Sequence, residues 1–170
     1  ANGDLYLFYG VYVNPNTNPK IAKSTDGGAT WVDLAITGLP TNFQFNYSAI
    51  DGTTNILFHG YDYTTQTQKT YKVVGTTATQ ITMPNTNGLN NLFFQNNKFY
   101  ASQFSTYYYT SNLGTTWTPV GFSGNKVFPI KNASYSGIAV SRAGALYISR
   151  DEGGTWSNTT LPEASSYLTS

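Results

Sequence analysis

Few residues in this chain can do acid–base or anion-gripping work: eight carboxylates, two arginines and one histidine, with no cysteine. A glycoside hydrolase needs two carboxylates facing one sugar at about 5–9.5 Å. The candidates are Asp4, Asp26, Asp33, Asp51, Asp62, Asp151, Glu152 and Glu163. Asp4 and Asp51 occupy equivalent turns that would fall at one end of the molecule, but the spacing of the others pairs none of them. His59 stands in the apolar run Ile56 to Gly60, where a hydrogen-bonded packing role is expected in place of a general base. Without a second histidine or any cysteine, no metal set can be assembled, and none of the runs has EF-hand spacing. The Gly27-Gly28 and Gly153-Gly154 pairs are not placed between a strand and a helix as a phosphate-binding loop requires. No cofactor is expected.

Whatever positions these groups is built almost without charge. Charged residues make up 10% of the 170, while 25 Thr, 17 Asn and 14 Ser dress the surface in hydroxyls and amides. With 16% aromatics and abundant Thr, propensity favours strands, so the chain reads as all-β and long enough for one domain with its own core. A net charge of +1 with no basic run is a poor match to nucleic acid or to an anionic membrane surface. No apolar run reaches the roughly 20 residues of a membrane-spanning helix, so membrane insertion is not expected.

The chain repeats itself. Ser24-Thr25-Asp26-Gly27-Gly28-Ala29-Thr30-Trp31, Thr110-Ser111-Asn112-Leu113-Gly114-Thr115-Thr116-Trp117 and Ser149-Arg150-Asp151-Glu152-Gly153-Gly154-Thr155-Trp156 share one pattern, and all three tryptophans of the protein close it. A fourth, eroded copy covers residues 73–80, with Gly75 and Gln80 at the Asp and Trp positions. In such a turn a short Asp or Asn side chain can bond nearby main-chain amides, Gly supplies positive φ, and Trp packs back between sheets.

This pattern resembles the Asp box, Ser-x-Asp-x-Gly-x-Thr-Trp, of the bacterial-neuraminidase-type repeats found in sialidases, sortilin-type receptors, some glycanases and a photosystem assembly factor. The resemblance implies a β-propeller in which each box is the turn between the third and fourth strands of a blade. It makes Ser24, Asp26, Gly28, Trp31, Asn112, Gly114, Trp117, Ser149, Asp151, Gly153 and Trp156 structural. It does not extend to a sialidase site, which needs three arginines to grip a carboxylate; only Arg142 and Arg150 exist, and Arg150 lies inside a box.

Motif spacing counts the blades. Intervals of 49, 37 and 39 residues separate positions 31, 80, 117 and 156, and 45 more wrap from 156 through the chain ends. The expectation is a single four-bladed propeller, with blades at about 1–38 plus 163–170, 39–84, 85–121 and 122–162, each of four short strands. The third blade is expected to pair Leu92 to Gln95 with Lys98 to Ala101 across an Asn96-Asn97 turn, followed by Tyr107 to Tyr109 and by a strand containing Trp117. Across the chain ends, Leu161-Pro162, Tyr167 to Ser170 and Leu5 to Gly10 follow the register of Leu39-Pro40, Tyr47 to Ile50 and Ile56 to Gly60. Tyr167, Leu168 and Thr169 are thus expected to form the inner strand of the first blade, either closing the ring within one chain or entering a neighbouring copy.

Tyr61, Tyr63, Tyr107 and Tyr109 could offer stacking faces to a sugar, although alternate aromatics in such strands serve to pack blades. Asn46, Asn132 and Asn158 head Asn-x-Ser/Thr sequons that matter only in a secreted protein. The function expected is a non-catalytic, extracellular or cell-surface structural or adhesive module, self-associating or joined to neighbouring repeats. A glycan-binding lectin with sites between blades is the alternative, and a glycoside hydrolase remnant ranks third.

Overall fold

The computed structural model describes residues 3–85, 88–124, 126–131, 136–142 and 145–159. No helix occurs among them. Fifteen strands form four antiparallel sheets, each a meander in chain order. The first holds β1 (Leu5–Val13), β2 (Asn16–Ser24) and β3 (Val32–Asp33). The second runs β4 (Phe43–Ile50), β5 (Ile56–Asp62), β6 (Thr67–Val74) and β7 (Thr77–Ile81). The third runs β8 (Asn91–Gln95), β9 (Lys98–Gln103), β10 (Thr106–Thr110) and β11 (Thr118–Val120). The fourth runs β12 (Lys126–Lys131), β13 (Ser136–Arg142), β14 (Ala145–Ser149) and β15 (Ser157–Thr159).

The sheets pack in sequence through their first strands, with β1 and β2 against β4, β4 against β8, and β8 against β12. Three apolar cores follow from this stacking. Ile21, Phe43, Phe58, Tyr71 and Val73 fill the space between the first and second sheets. Leu57, Leu89, Leu92, Phe99 and Ala101 fill the next. Tyr100, Tyr107, Val120, Val127, Ile138 and Val140 fill the third. Alternation explains the assignment: Leu92 and Phe99 face back toward the second sheet while Phe93 and Tyr100, their immediate neighbours, face forward and stack with ring centroids 5.1 Å apart.

Because each inner sheet is covered on both sides, its second strand is buried nearly throughout. β5 and β9 show this, and β13 of the last sheet has the same burial; the sequences of all three are apolar or small at consecutive positions. A bulge between Phe45 and Tyr47 breaks the β4 ladder opposite Gly60, where an added Cβ would lie 2.6 Å from the Phe43 ring. Only a glycine lets that ring lie flat on the strand.

The strand pairs read from sequence in the third sheet are present, with Phe94 opposite Phe99 across a turn in which Asn96 and Asn97 both take positive φ. One boundary differs. Trp31, Trp117 and Trp156 precede the last strands of their sheets, because the motif turn keeps its last residue outside the ladder. The second sheet gains a feature that the sequence did not show. After β3 the chain runs beside β7, where Thr37 pairs in parallel with Thr77, its N–H donates to the Thr76 carbonyl at 2.9 Å and its carbonyl accepts from Ala78 N–H at 2.8 Å. Gly38, at φ +75, sits so close to the Ala78 carbonyl that no side chain fits.

Candidate functional site

The three motif turns share one hydrogen-bond pattern. In the first, Ser24 Oγ donates to Asp26 Oδ1 at 2.7 Å and accepts from Gly28 N–H at 2.8 Å, while Thr30 donates its N–H to Asp26 Oδ1 and its hydroxyl to Asp26 Oδ2 at 2.9 and 2.6 Å. Ser149, Asp151, Gly153 and Thr155 repeat this bond for bond. Hydrogen bonds from Thr30 hold the Asp26 carboxyl far below the usual carboxylate range, and those from Thr155 and Ser149 bring Asp151 down to about 2. A carboxylate so held is ionised near neutral pH and is a poor proton donor there.

The middle turn makes the pattern with neutral groups. Thr110 replaces Ser, donating to Asn112 Oδ1 at 2.8 Å and accepting from Gly114 N–H at 3.0 Å. Asn112 Oδ1 accepts from Thr116 N–H, but Asn112 Nδ2 now donates to Thr116 Oγ1 at 2.9 Å, so that bond runs in the opposite direction. Trp31 and Trp156 donate their indole N–H to the Gly28 and Gly153 carbonyls, each at 3.1 Å. Buried Trp117 Nε1 has no partner among the described residues.

The motif glycines also form contacts between sheets. A Cβ built on Gly114 would overlap Cδ1 of Ile81, on the outermost strand of the preceding sheet, and one on Gly153 would lie 2.6 Å from Val120 Cγ1. Ile81 pairs with Thr70, and Val120 with Tyr107, each three residues before the motif's first position in its own sheet. They are therefore the same residue of two successive repeats. Gly28 is approached only by Leu5 and Trp31 of its own sheet.

Two clefts lie beside the second sheet. One, of about 410 Å³, is lined by His59, Thr67, Gln68, Thr70, Gln80 and Thr82 among others. At its floor His59 is 2% exposed; its Nε2 accepts from Leu89 N–H at 3.2 Å, which leaves Nδ1 to carry the proton toward Thr70 Oγ1 at 2.8 Å. Burial pushes the imidazole down to about 4. It is a neutral, fully bonded packing group, in line with its place in an apolar run. The other cleft, of about 360 Å³, brings Asp4 together with Gly52 of the Asp51 turn, as their equivalent sequence positions suggest. Asp4 is ion-paired to Lys23 at 2.5 Å, however, and Asp51 accepts from Thr53 and Asn55. Burial raises the Asp51 carboxyl, but these bonds outweigh it and the net shift is downward.

The aromatic candidates separate. Tyr61 and Tyr63 form an edge-to-face pair 5.0 Å apart, with Tyr63 exposed and bonded to Gln44. Tyr107 is 1% exposed inside the third core, where burial raises its hydroxyl to about 12, so it is a packing residue and offers no face to a sugar. Tyr109 is partly buried against that core, with the Lys98 ammonium 4.4 Å from its ring centre. Asn46, at the β4 bulge, and Asn158, on β15, are exposed; Asn132 lies outside the described residues, as do Tyr167, Leu168 and Thr169. Sequence reasoning missed the cleft lined by Gln68 and Gln80, since uncharged polar residues scattered over two strands carry no motif.

No protein-family model matches the chain, and no curated protein matches it by sequence. Solved structures do. YCF48 bound to a D1 peptide superposes with a TM-score of 0.54 at 12% identity, over 96% of this chain and 58% of that one. YCF48 from Cyanidioschyzon merolae gives 0.52 at 13%, over 93% and 58%. An α-L-arabinanase from Penicillium chrysogenum complexed with arabinobiose gives 0.50 at 14%, over 96% and 61%. The chain therefore spans about three fifths of the length of these neighbours, and at this identity the likeness is one of fold: the described sheets are arranged as in a β-propeller.

Proposed function

We propose that this chain is a non-catalytic propeller module of the Asp-box type, with four blades, serving a structural or adhesive role outside the cell and joining copies of itself or neighbouring repeats through its terminal strand. The observation that carries the reading is in the first sheet. Its motif lies between β2 and β3, so β1, β2 and β3 correspond to the second, third and fourth strands of the other sheets, and the inner edge of β1 has no described partner. A nine-residue strand with an open edge invites another strand. Residues 167–170, in register by sequence, are the proposed partner, whether they close their own ring or enter a second copy.

Five of the eight carboxylates fit a non-catalytic role. Asp26, Asp33, Asp51, Asp62 and Asp151 all have lowered pKa values and accept hydrogen bonds, whereas sugar hydrolysis requires one carboxyl raised to act as an acid. The charge-poor surface, rich in Thr, Asn and Tyr, suits contact with other copies of the same surface. Light scattering and electron microscopy test the reading: multimers are expected, and deletion of residues 167–170 should abolish them or unfold the chain. A compact monomer indifferent to that deletion would overturn it.

A glycan-binding reading has its own support in the 410 Å³ cleft, where Thr67, Gln68, Gln80 and Thr82 offer neutral donors and acceptors of the kind that sugar hydroxyls use. The arabinanase neighbour holds arabinobiose and the YCF48 neighbour a peptide, so propellers of this general form hold ligands of both kinds. A glycan array decides: binding lost in Gln80→Ala would establish the cleft, and an array without hits would remove the reading.

A further inference from the structure

The sequence of β1, Leu-Tyr-Leu-Phe-Tyr-Gly-Val-Tyr-Val, is apolar at nearly every position, the pattern of a strand buried on both faces. Its counterparts β5 and β9, in sheets covered on both sides, are so buried. β1 is not. Tyr6 and Phe8 reach the first core, while Leu5 and Leu7 on the other face are 44% and 45% exposed and Trp31, beside them, is 41% exposed. Trp117 and Trp156 occupy the same repeat position and pack into cores against the preceding sheet. Gly28 likewise receives no side chain from a preceding sheet, as Gly114 and Gly153 do, and is met only by Leu5 and Trp31 of its own sheet.

At the other end of the stack, Phe128, Leu146 and Ile148 of the fourth sheet, each partly buried, belong to none of the three described cores, since alternation points them away from Val127, Val140 and Tyr147. By register Thr159, paired with Leu146, is the repeat equivalent of Ile81 and Val120, and it is exposed. Among the described residues no strand of the fourth sheet packs on the first as the other sheets pack on one another. One end of the molecule thus carries a socket and the other carries the matching β-branched knob, a geometry already used twice within the chain.

We propose that the uncovered face of the first sheet, formed by Leu5, Leu7, Gly28 and Trp31, receives the outer face of the fourth sheet of a second copy of this chain, with Thr159 seated over Gly28. This rests on the self-assembling reading above and names the surface it uses. The contact is head-to-tail, so two copies can close on each other or many can extend as a filament.

The chain has no cysteine, which makes cross-linking a clean test. Leu5→Cys and Thr159→Cys proteins, oxidised as a mixture, should give a mixed disulfide dimer far in excess of what either gives alone. Leu7→Asp should weaken association by about tenfold or more, as loss of a central apolar contact does, with circular dichroism and melting temperature unchanged. A doubly substituted Leu5→Cys/Thr159→Cys chain that links only within itself at high dilution and at high concentration would overturn the proposal in favour of a ring closed by one chain. Multimers that persist in Leu7→Asp, form no mixed disulfide, and vanish on deletion of residues 167–170 would overturn the face and leave strand exchange standing. A monomer with no cross-link of either kind would overturn both.

Discussion

Gly114 lies directly beneath Ile81, and the absence of a side chain on the one makes room for the side chain of the other. The contact joins two sheets through a residue that also closes a hydrogen-bonded turn, so local turn chemistry and packing between sheets meet at one atom. Gly153 and Val120 repeat the relationship one sheet later.

That geometry separates two costs of adding a methyl group. Gly28 and Gly114 both take positive φ, at +96 and +76, so Gly28→Ala and Gly114→Ala share a backbone strain of about 1 kcal/mol. Only Gly114→Ala collides with Ile81. Urea unfolding should show it less stable than Gly28→Ala by about 1–2 kcal/mol; equal losses would mean that Ile81 moves aside freely.

The middle turn shows what the outer ones tolerate. Since Asn112 fills its pattern with a reversed bond to Thr116, Asp26→Asn should keep the turn by donating to Thr30 Oγ1, with little loss of stability. Asp26→Ala leaves the exposed Thr30 N–H and the Ser24 hydroxyl to water and should be the less stable of the two variants. Thermal unfolding of the two variants compares them directly.

His59 should govern the first loss of stability in acid. Its folded pKa of about 4 lies below the unfolded value of 6.5, so the unfolded chain binds the extra proton and stability falls as pH drops from about 6.5 toward 4. The gap between 6.5 and about 4 corresponds to about 3 kcal/mol at most. The motif aspartates, whose folded values are lower still, withdraw their contribution only below about pH 4. In His59→Gln the first phase should vanish and the second remain, read from denaturant midpoints across pH.

Lys98 donates to Glu152 across the third and fourth sheets while its ammonium lies over Tyr109. Both side chains are partly exposed, at 23% and 31%, so Glu152→Gln should cost less than about 1 kcal/mol, and the difference should shrink at high salt.

What the sequence revealed and what it hid follow from the range of each interaction. The motif turns were legible because Ser24, Asp26, Gly28 and Thr30 satisfy one another within seven residues. Strands in the third sheet were legible because Phe93 and Phe94 alternate between two cores and Asn96-Asn97 marks the turn. Tyr107 could not be assigned to packing from its spacing alone, since three consecutive tyrosines present rings to both faces. Nor could the Gly114 and Ile81 contact be read, because it depends on how two sheets stack and not on either segment. The His59 cleft was equally hidden: its walls come from positions 59 to 85, and their polar side chains differ in nothing but location from the many Thr and Gln elsewhere.

The seam between Thr37 and Thr77 bears on how the four repeats tolerate change. It clasps the outer turn of the second sheet with main-chain groups, which are indifferent to the side chains they carry. The other turns are held by hydroxyls, carboxylates and indoles that only a few residue types can supply. Random substitution across the chain should therefore be absorbed more freely at the exposed positions 76, 77, 79 and 80, though not at buried Ala78, than at 24 to 31, 110 to 117 and 149 to 156. Gln80, where the other turns carry tryptophan, stands where that freedom has already been used.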